Sequence, residues 1–259
     1  MRLNTVAALC LAATTAVVFT GCADSGDAGG TGSSAASSAT APAKPKEPFP
    51  GLTGGEIVDK AFEATTGAGS LRVKGAVQDT ASGGAIDIDM ALDKKGDCVG
   101  TLGMDGGTTD LIKTGDTVYM RYDETFLRAQ MESEPKEDVE AAVDMLAGKW
   151  TKTVVKGSEA ADVAAFCDLD NLLGDVNEGS SAATRGKAAT VDGAPALTLR
   201  EKDGQDRATL YVATEGEPYV LRLSADSAEE PVDLTFADYE KPVAAKKPAG
   251  EILDLDDLG

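Results

Sequence analysis

Histidine is absent from all 259 residues, and with it go the commonest general base near neutral pH and the commonest transition-metal ligand. Basic residues are scarce beside acidic ones. The balance of 24 Lys+Arg against 44 Asp+Glu sets the formal charge at -20, which repels phosphate backbones and anionic headgroups alike. Nucleic acid is therefore not an expected partner, and no cofactor or metal is expected. The uncharged apolar run over residues 6–19, about fourteen residues, is too short for a stable transmembrane helix. No repeat of fixed period is evident, and no reaction is legible in the residues.

What is present begins with an address. Arg2 and the amino terminus precede the apolar run, which reads as a signal peptide over residues 1–21. The run ends in Val18-Phe19-Thr20-Gly21-Cys22 and resembles the lipobox of bacterial lipoproteins, with Phe19 in place of the usual Leu. That resemblance implies a diacylglyceryl group (with palmitate-type acylation) on Cys22, which would become the mature amino terminus. The plainer alternative is an ordinary secretory signal in which Cys22 is incidental. Residues 23–50 are almost wholly Gly, Ser, Ala, Thr, Asp, Pro and Lys and have nothing to bury. Together with Cys22 they make a disordered tether whose root-mean-square reach is roughly 30 Å. A lipid anchor on the outer face of the cell membrane explains such a spacer.

The remaining residues, 51–242, are read as one domain, followed by an acidic and mostly disordered tail over 243–259 in which Ile252, Leu253 and Leu255 could dock weakly. Thr53 stands three residues before Glu56, the spacing of a capping box, and Ile57, Val58, Ala61, Phe62 and Thr65 follow at helical intervals until Gly67. Apolar and polar residues then alternate through residues 71–122, which predicts an antiparallel meander. Leu71, Val73, Gly75 and Val77 share one face. Ile86, Ile88, Met90 and Leu92 repeat the pattern after Ser82-Gly83-Gly84, and Val118, Met120 and Tyr122 do so after Thr114-Gly115-Asp116. The paired Gly106 and Gly107 suit a tight hairpin between strands at 99–104 and 108–112.

Beyond Asp123 the period changes. Phe126, Leu127 and Met131 suggest a helical turn, and Ser133 is placed to cap a helix whose stripe is Val139, Ala142, Val143 and Leu146, ended by Gly148. A strand over 149–155, a helical stretch over 158–173 and five short strands between 188 and 239 complete the domain, with turns at Asp192-Gly193, Asp203-Gly204 and Glu215-Gly216. One large sheet with helices on one side is the economical architecture. Cys10 lies in the leader and Cys22 in the lipobox, which leaves Cys98 and Cys167 as the expected disulfide of an extracytoplasmic domain. The bridge would close a loop of about 69 residues, for which the chain-entropy account gives ~4 kcal/mol; two free thiols are the alternative.

Several catalytic patterns are weighed and set aside. Ser133-Glu134-Pro135-Lys136 matches S-x-x-K and Lys113-Thr114-Gly115 matches K-T-G, yet they occur in reverse order, and Ser133 has a simpler role as a helix cap. Asp168, Asp170 and Asp175 lack the spacing of a calcium loop. Asp87 and Asp89 are the outer face of a strand. An enzyme is not expected.

The order of lipobox, tether, helix, meander, helical insert and returning strands resembles the LolA/LppX-like (LprG-type) bacterial lipoproteins, especially actinomycete members. The likeness rests on residues 73–93, Asp97-Cys98-Val99-Gly100, residues 114–121 and Gly148-Lys149-Trp150. It implies an α+β fold in which a large curved antiparallel sheet, a half-barrel, wraps a few helices around an apolar cavity for a lipid or acylated ligand. The strand faces and helical stripes nominate Val73, Val77, Ile86, Ile88, Met90, Met104, Val118, Met120, Phe126, Leu127, Met131, Val139, Val143 and Leu146 as candidate lining, the methionines being suited to variable apolar shapes. The alternative is a cell-surface interaction module with another envelope protein as its partner and no lipid.

Overall fold

The computed structural model describes residues 47–79, 84–155, 166–168, 182–203, 205–227 and 231–257. The leader, Cys22, most of the tether, the turn at Ser82-Gly83 and all of the helix expected over 158–173 except residues 166–168 lie outside the described residues.

Helix α1 (Gly54–Gly67) starts where the capping box places it. The Thr53 hydroxyl accepts from the Glu56 amide at 3.2 Å, and the Glu56 carboxylate accepts from the Thr53 amide at 2.7 Å. Two orphan donors of the first turn are thus satisfied. Its buried face, Ile57, Val58, Ala61, Phe62 and Thr65, packs over the second half of the sheet.

The meander is present as β1 (Ser70–Asp79), β2 (Gly84–Asp93), β3 (Cys98–Met104), β4 (Gly107–Thr114) and β5 (Thr117–Tyr122). Helices α2 (Glu124–Gln130) and α3 (Lys136–Leu146) follow, then β6 (Trp150–Val154). A second meander comprises β7 (Thr184–Val191), β8 (Ala194–Asp203), β9 (Asp206–Ala213), β10 (Val220–Asp226) and β11 (Val232–Ala237). The chain closes with β12 (Ile252–Asp254) and a 3-10 turn at Leu255–Asp257. All twelve strands join one sheet in the order β12-β6-β5-β4-β3-β2-β1-β11-β10-β9-β8-β7. The two meanders meet where β1 pairs antiparallel with β11, and among the described strands β12 alone pairs in parallel, with β6. This open, curved sheet with helices against one face is the expected α+β half-barrel. Register shifts at Val220/Arg222 and Arg185/Ala188 add local bends to its second half.

Four details differ from the sequence reading. The β3–β4 hairpin turns on Asp105 and Gly106, both at positive φ (53° and 78°), as a two-residue turn of the primed kind requires. Gly107 is instead the first residue of β4 and is bare for another reason: an added Cβ would stand 2.2 Å from the Phe126 amide nitrogen. Ser133 caps nothing. Asp123 caps α2, and α3 begins behind Pro135 with no side-chain cap, because proline confines the preceding residues to extended backbone and starts a helix well. The first four strands of the second half run longer than expected, since polar residues on the open face belong to them, whereas β11 stops at Ala237, short of the expected 239. Finally, the tail does not end unstructured: β12 adds to the edge of β6.

The Cys98–Cys167 disulfide is formed, with both cysteines fully buried. It fastens residue 167 and its neighbour Phe166 to the core at the start of β3.

Candidate functional site

The register sorts the apolar face of the sheet into rows. In the outermost row, near the ends of the strands, Glu201 stands beside Ala208, then come Ala225, Val232, Val77, Ile86, Met104 and Gly107, each opposite the next on the neighbouring strand. All but Gly107 are only half-buried. The row behind it holds Leu199, Leu210, Leu223, Leu234, Gly75, Ile88, Leu102 and Thr109, mostly buried, and Phe236, Val73, Met90 and Leu111 of the next row are deep in the core. Exposure therefore falls from the strand ends inward. The apolar face has a mouth.

Helices flank this mouth on two sides. On one, α2 sits on the bare backbone of Gly107, and the Phe126 ring lies 5.7 Å from that of Tyr122. The Gln130 amide donates to the Met104 sulfur at 3.5 Å, and the Tyr122 hydroxyl donates to the Met120 sulfur at 3.2 Å. Burial pushes the Tyr122 phenol above its ordinary pKa. Asp123 holds the helix in place, accepting from the amide of Phe126 at 2.6 Å and from both the amide and hydroxyl of Thr108 at 2.8 Å. Burial raises the Asp123 pKa, but these donors outweigh it and hold the carboxyl below its usual range. Helix α3 leans on α2 through Arg128, which donates to Glu124 and, in bidentate fashion, to Glu140.

On the other side, Val58 and Phe62 of α1 face Ala183, Leu199, Ala208, Leu210 and Leu223 across a recess of about 60 Å³, with Glu201 at its lip. A wider concavity of about 1110 Å³ lies on the opposite, polar face. There Arg72 and Lys74 both pair with Asp89, and Arg222 pairs with Asp233, over a floor of small residues such as Ala76, Ala85 and Gly103.

The nominated lining divides accordingly. Val73, Val77, Ile86, Ile88, Met90, Met104, Val118 and Met120 share the apolar face; Val73, Met90 and Val118 are core, whereas Val77, Ile86, Met104 and Met120 are half-buried. Phe126 and Leu127 are on α2, with Leu127 buried, and Met131 caps its end. Val139, Val143 and Leu146 are on α3, where only Val143 is buried. Sequence reading missed Ala208, Ala225 and Val232 from the second meander, which only strand pairing brings beside Val77. Alternation in 208–212 and 232–236 was the available signal.

The set-aside chemistries gain no support. The Lys113 ammonium donates to the Gly96 carbonyl at 2.7 Å, and Ser133 lies exposed in the turn before α3. Asp170 and Asp175 lie outside the described residues, and among the described residues no group of three or more acidic, cysteine or histidine side chains is gathered to hold a metal. Nor is any described helix long and apolar enough to cross a membrane.

No protein-family model matches the sequence, and no curated protein matches it. Among solved structures, LprF from Mycobacterium bovis superposes with a TM-score of 0.52 at 18% identity, covering 76% of this chain and 97% of that one. The Mycobacterium tuberculosis lipoprotein LppX follows at 0.46 and 14%, covering 74% and 98%, and the LolA superfamily protein NE2245 from Nitrosomonas europaea at 0.25 and 12%, covering 74% and 94%. At these identities the likeness is one of fold: this chain has the LolA/LppX-like architecture, a curved antiparallel sheet wrapped on helices, and shares it with LprF.

Proposed function

We propose that this chain is a non-enzymatic lipoprotein of the cell envelope, anchored through Cys22 to the outer face of the cytoplasmic membrane, and that its domain holds an acyl chain of a lipid or acylated ligand at the mouth of the half-barrel. The observation that carries the reading is the graded apolar face. A row of half-buried Ala, Val, Ile and Met side chains crosses strands of both meanders and leads inward to a continuous core. Methionine at the rim, Met104, and half-buried Met120 further in suit an occupant of variable shape. Each methylene removed from water contributes ~0.8 kcal/mol, so about eight of them supply on the order of 6 kcal/mol. The recess beside α1 is smaller than the ~300 Å³ at which small-molecule pockets begin. Entry of a chain therefore involves displacement of α1 or α2 from the rim, and α2, seven residues long with Leu127 as its buried side chain, is the weaker wall beside the fourteen-residue α1.

Native mass spectrometry of the purified domain, before and after incubation with a diacyl phospholipid, tests this. A retained or acquired lipid mass is expected, and Val77→Asp/Ile86→Asp, which places charge on the mouth row, is expected to abolish it. A domain that stays ligand-free with every lipid offered rejects the reading. A second reading, an interaction module for another envelope protein, is favoured by the small size of the apolar recess beside the wide polar concavity. It predicts a co-purifying protein and no lipid.

A further inference from the structure

The far edge of the sheet carries a feature independent of the mouth. After β11 the chain passes Lys241, whose carbonyl accepts from the Ser70 hydroxyl at the start of β1. It reaches β12 on the outer side of β6, six strand spacings away. At ~4.8 Å per spacing that is ~29 Å along the sheet, and the stretch from Lys241 to Ile252, if fully extended, spans ~36–40 Å. The linker is long enough to cross with slack. What it delivers is short: Ile252, Leu253 and Asp254 stand beside Trp150, Thr151 and Lys152. The contacts that specify the strand are made by carboxylates. Asp254 meets the Lys152 ammonium at 2.5 Å, and Asp256 accepts from the Val154 amide at 3.0 Å and from the Thr153 hydroxyl at 3.2 Å. A side chain thus satisfies an edge donor that a longer strand would satisfy with its backbone.

We propose that the β6 edge is a docking site for an extended acidic segment of a partner protein, added as a parallel strand with one carboxylate opposite Lys152 and a second at the Val154 amide, and that residues 252–257 occupy it in cis until such a strand displaces them. Two facts support a replaceable occupant: only three residues pair, and the anchoring is by charge at a partly exposed edge, where Lys152 selects a carboxylate. Strand addition of this kind draws affinity from main-chain hydrogen bonds and specificity from alternate side chains.

The test uses the full chain with Asp254→Lys/Asp256→Lys, which repels the resident strand from Lys152, and a labelled peptide of the sequence of residues 251–257. Binding at least tenfold tighter than to the unaltered chain is expected. In a chain with Asp254→Ala/Asp256→Ala in place of the lysines, Lys152→Glu abolishes it and transfers preference to a peptide with lysine at the position of Asp254. Equal binding to altered and unaltered chains, or none to an altered chain whose circular dichroism and Cys98–Cys167 bridge are intact, overturns the proposal. Should the altered chain not fold, amide exchange in the unaltered chain decides. Faster exchange at residues 252–257 on addition of the peptide supports displacement, and unchanged exchange overturns it. A dimer of the unaltered chain that dissociates on Asp254→Lys/Asp256→Lys substitution assigns the edge to tail exchange between copies and overturns the partner strand.

Discussion

At the scale of single residues, Asp123 links the sheet to the helical wall of the mouth, since one carboxylate caps α2 and receives two donors from Thr108. Asp123→Ala is expected to destabilise by ~1 kcal/mol, in line with lost helix caps, and to free α2 before the rest of the domain, seen as loss of the Tyr122–Phe126 signal in near-ultraviolet circular dichroism. The pH dependence has a definite sign. A carboxyl whose pKa is lower folded than unfolded contributes stability above its unfolded value, ~3.9, and loses it as pH falls through the folded value. The α2 signal should hold steady from neutrality to about pH 5 and decline below about pH 4. Asp123→Asn should flatten that decline, and a decline that persists would show that other carboxyls hold the helix. Gly107→Val is the steric counterpart. Its side chain meets the α2 backbone, so the mutant should lose α2 docking at every pH.

Among the elements, the Cys98–Cys167 bridge and β4 offer the sharpest tests. Cys98→Ser/Cys167→Ser should lower stability by up to ~4 kcal/mol by the loop-entropy account, read as a shift in the denaturant midpoint. Thiol titration of the denatured wild-type domain without reductant should find neither residue reactive. Leu111→Ala empties a fully buried site in the middle of β4, and a loss of 2–5 kcal/mol is the usual range for such deletions. Leu111 lies two rows behind the mouth, so a lipid-binding defect in this mutant beyond its loss of stability would mean that the acyl chain penetrates that deep.

For the molecule as a whole, two electrostatic effects oppose each other. Ladders of ion pairs cross the polar face, Arg72 and Lys74 with Asp89, Arg121 with Asp110 and Arg222 with Asp233, and all are substantially exposed. Pairs of that kind contribute less than ~1 kcal/mol each. A net charge of -20 repels itself throughout the folded state. Raising salt from low to physiological ionic strength should therefore raise Tm in calorimetry, because screening relieves repulsion more than it weakens the pairs. A falling Tm would give the ladders the larger share.

Periodicity alone located the first meander, the capping box at Thr53, the stripe of α1 and the cysteine pair, because each depends on neighbours in the chain or on a residue type with few uses. One large sheet with helices on one side was legible from the order of those elements, and its curvature into a half-barrel was implied by the resemblance to LolA/LppX-like lipoproteins. Pairing of distant segments was not. That β11 lies against β1, bringing Val232 beside Val77, depends on contacts between residues far apart in the chain, and no local pattern encodes them. Gly107 read as a turn residue because adjacent glycines usually are, whereas its bareness answers to Phe126, a contact made only once α2 folds back on the sheet. The tail read as disordered because it is acidic and proline-bearing. Its order depends on Lys152 and the free edge of β6, neither of which is near it in the sequence. By itself the sequence determined which segments alternate, where the first helix starts and which cysteines pair, all matters of local chemistry. Tertiary structure decided which faces meet, how the mouth is walled and what covers the last strand, because those outcomes follow from burial and edge pairing across the whole chain.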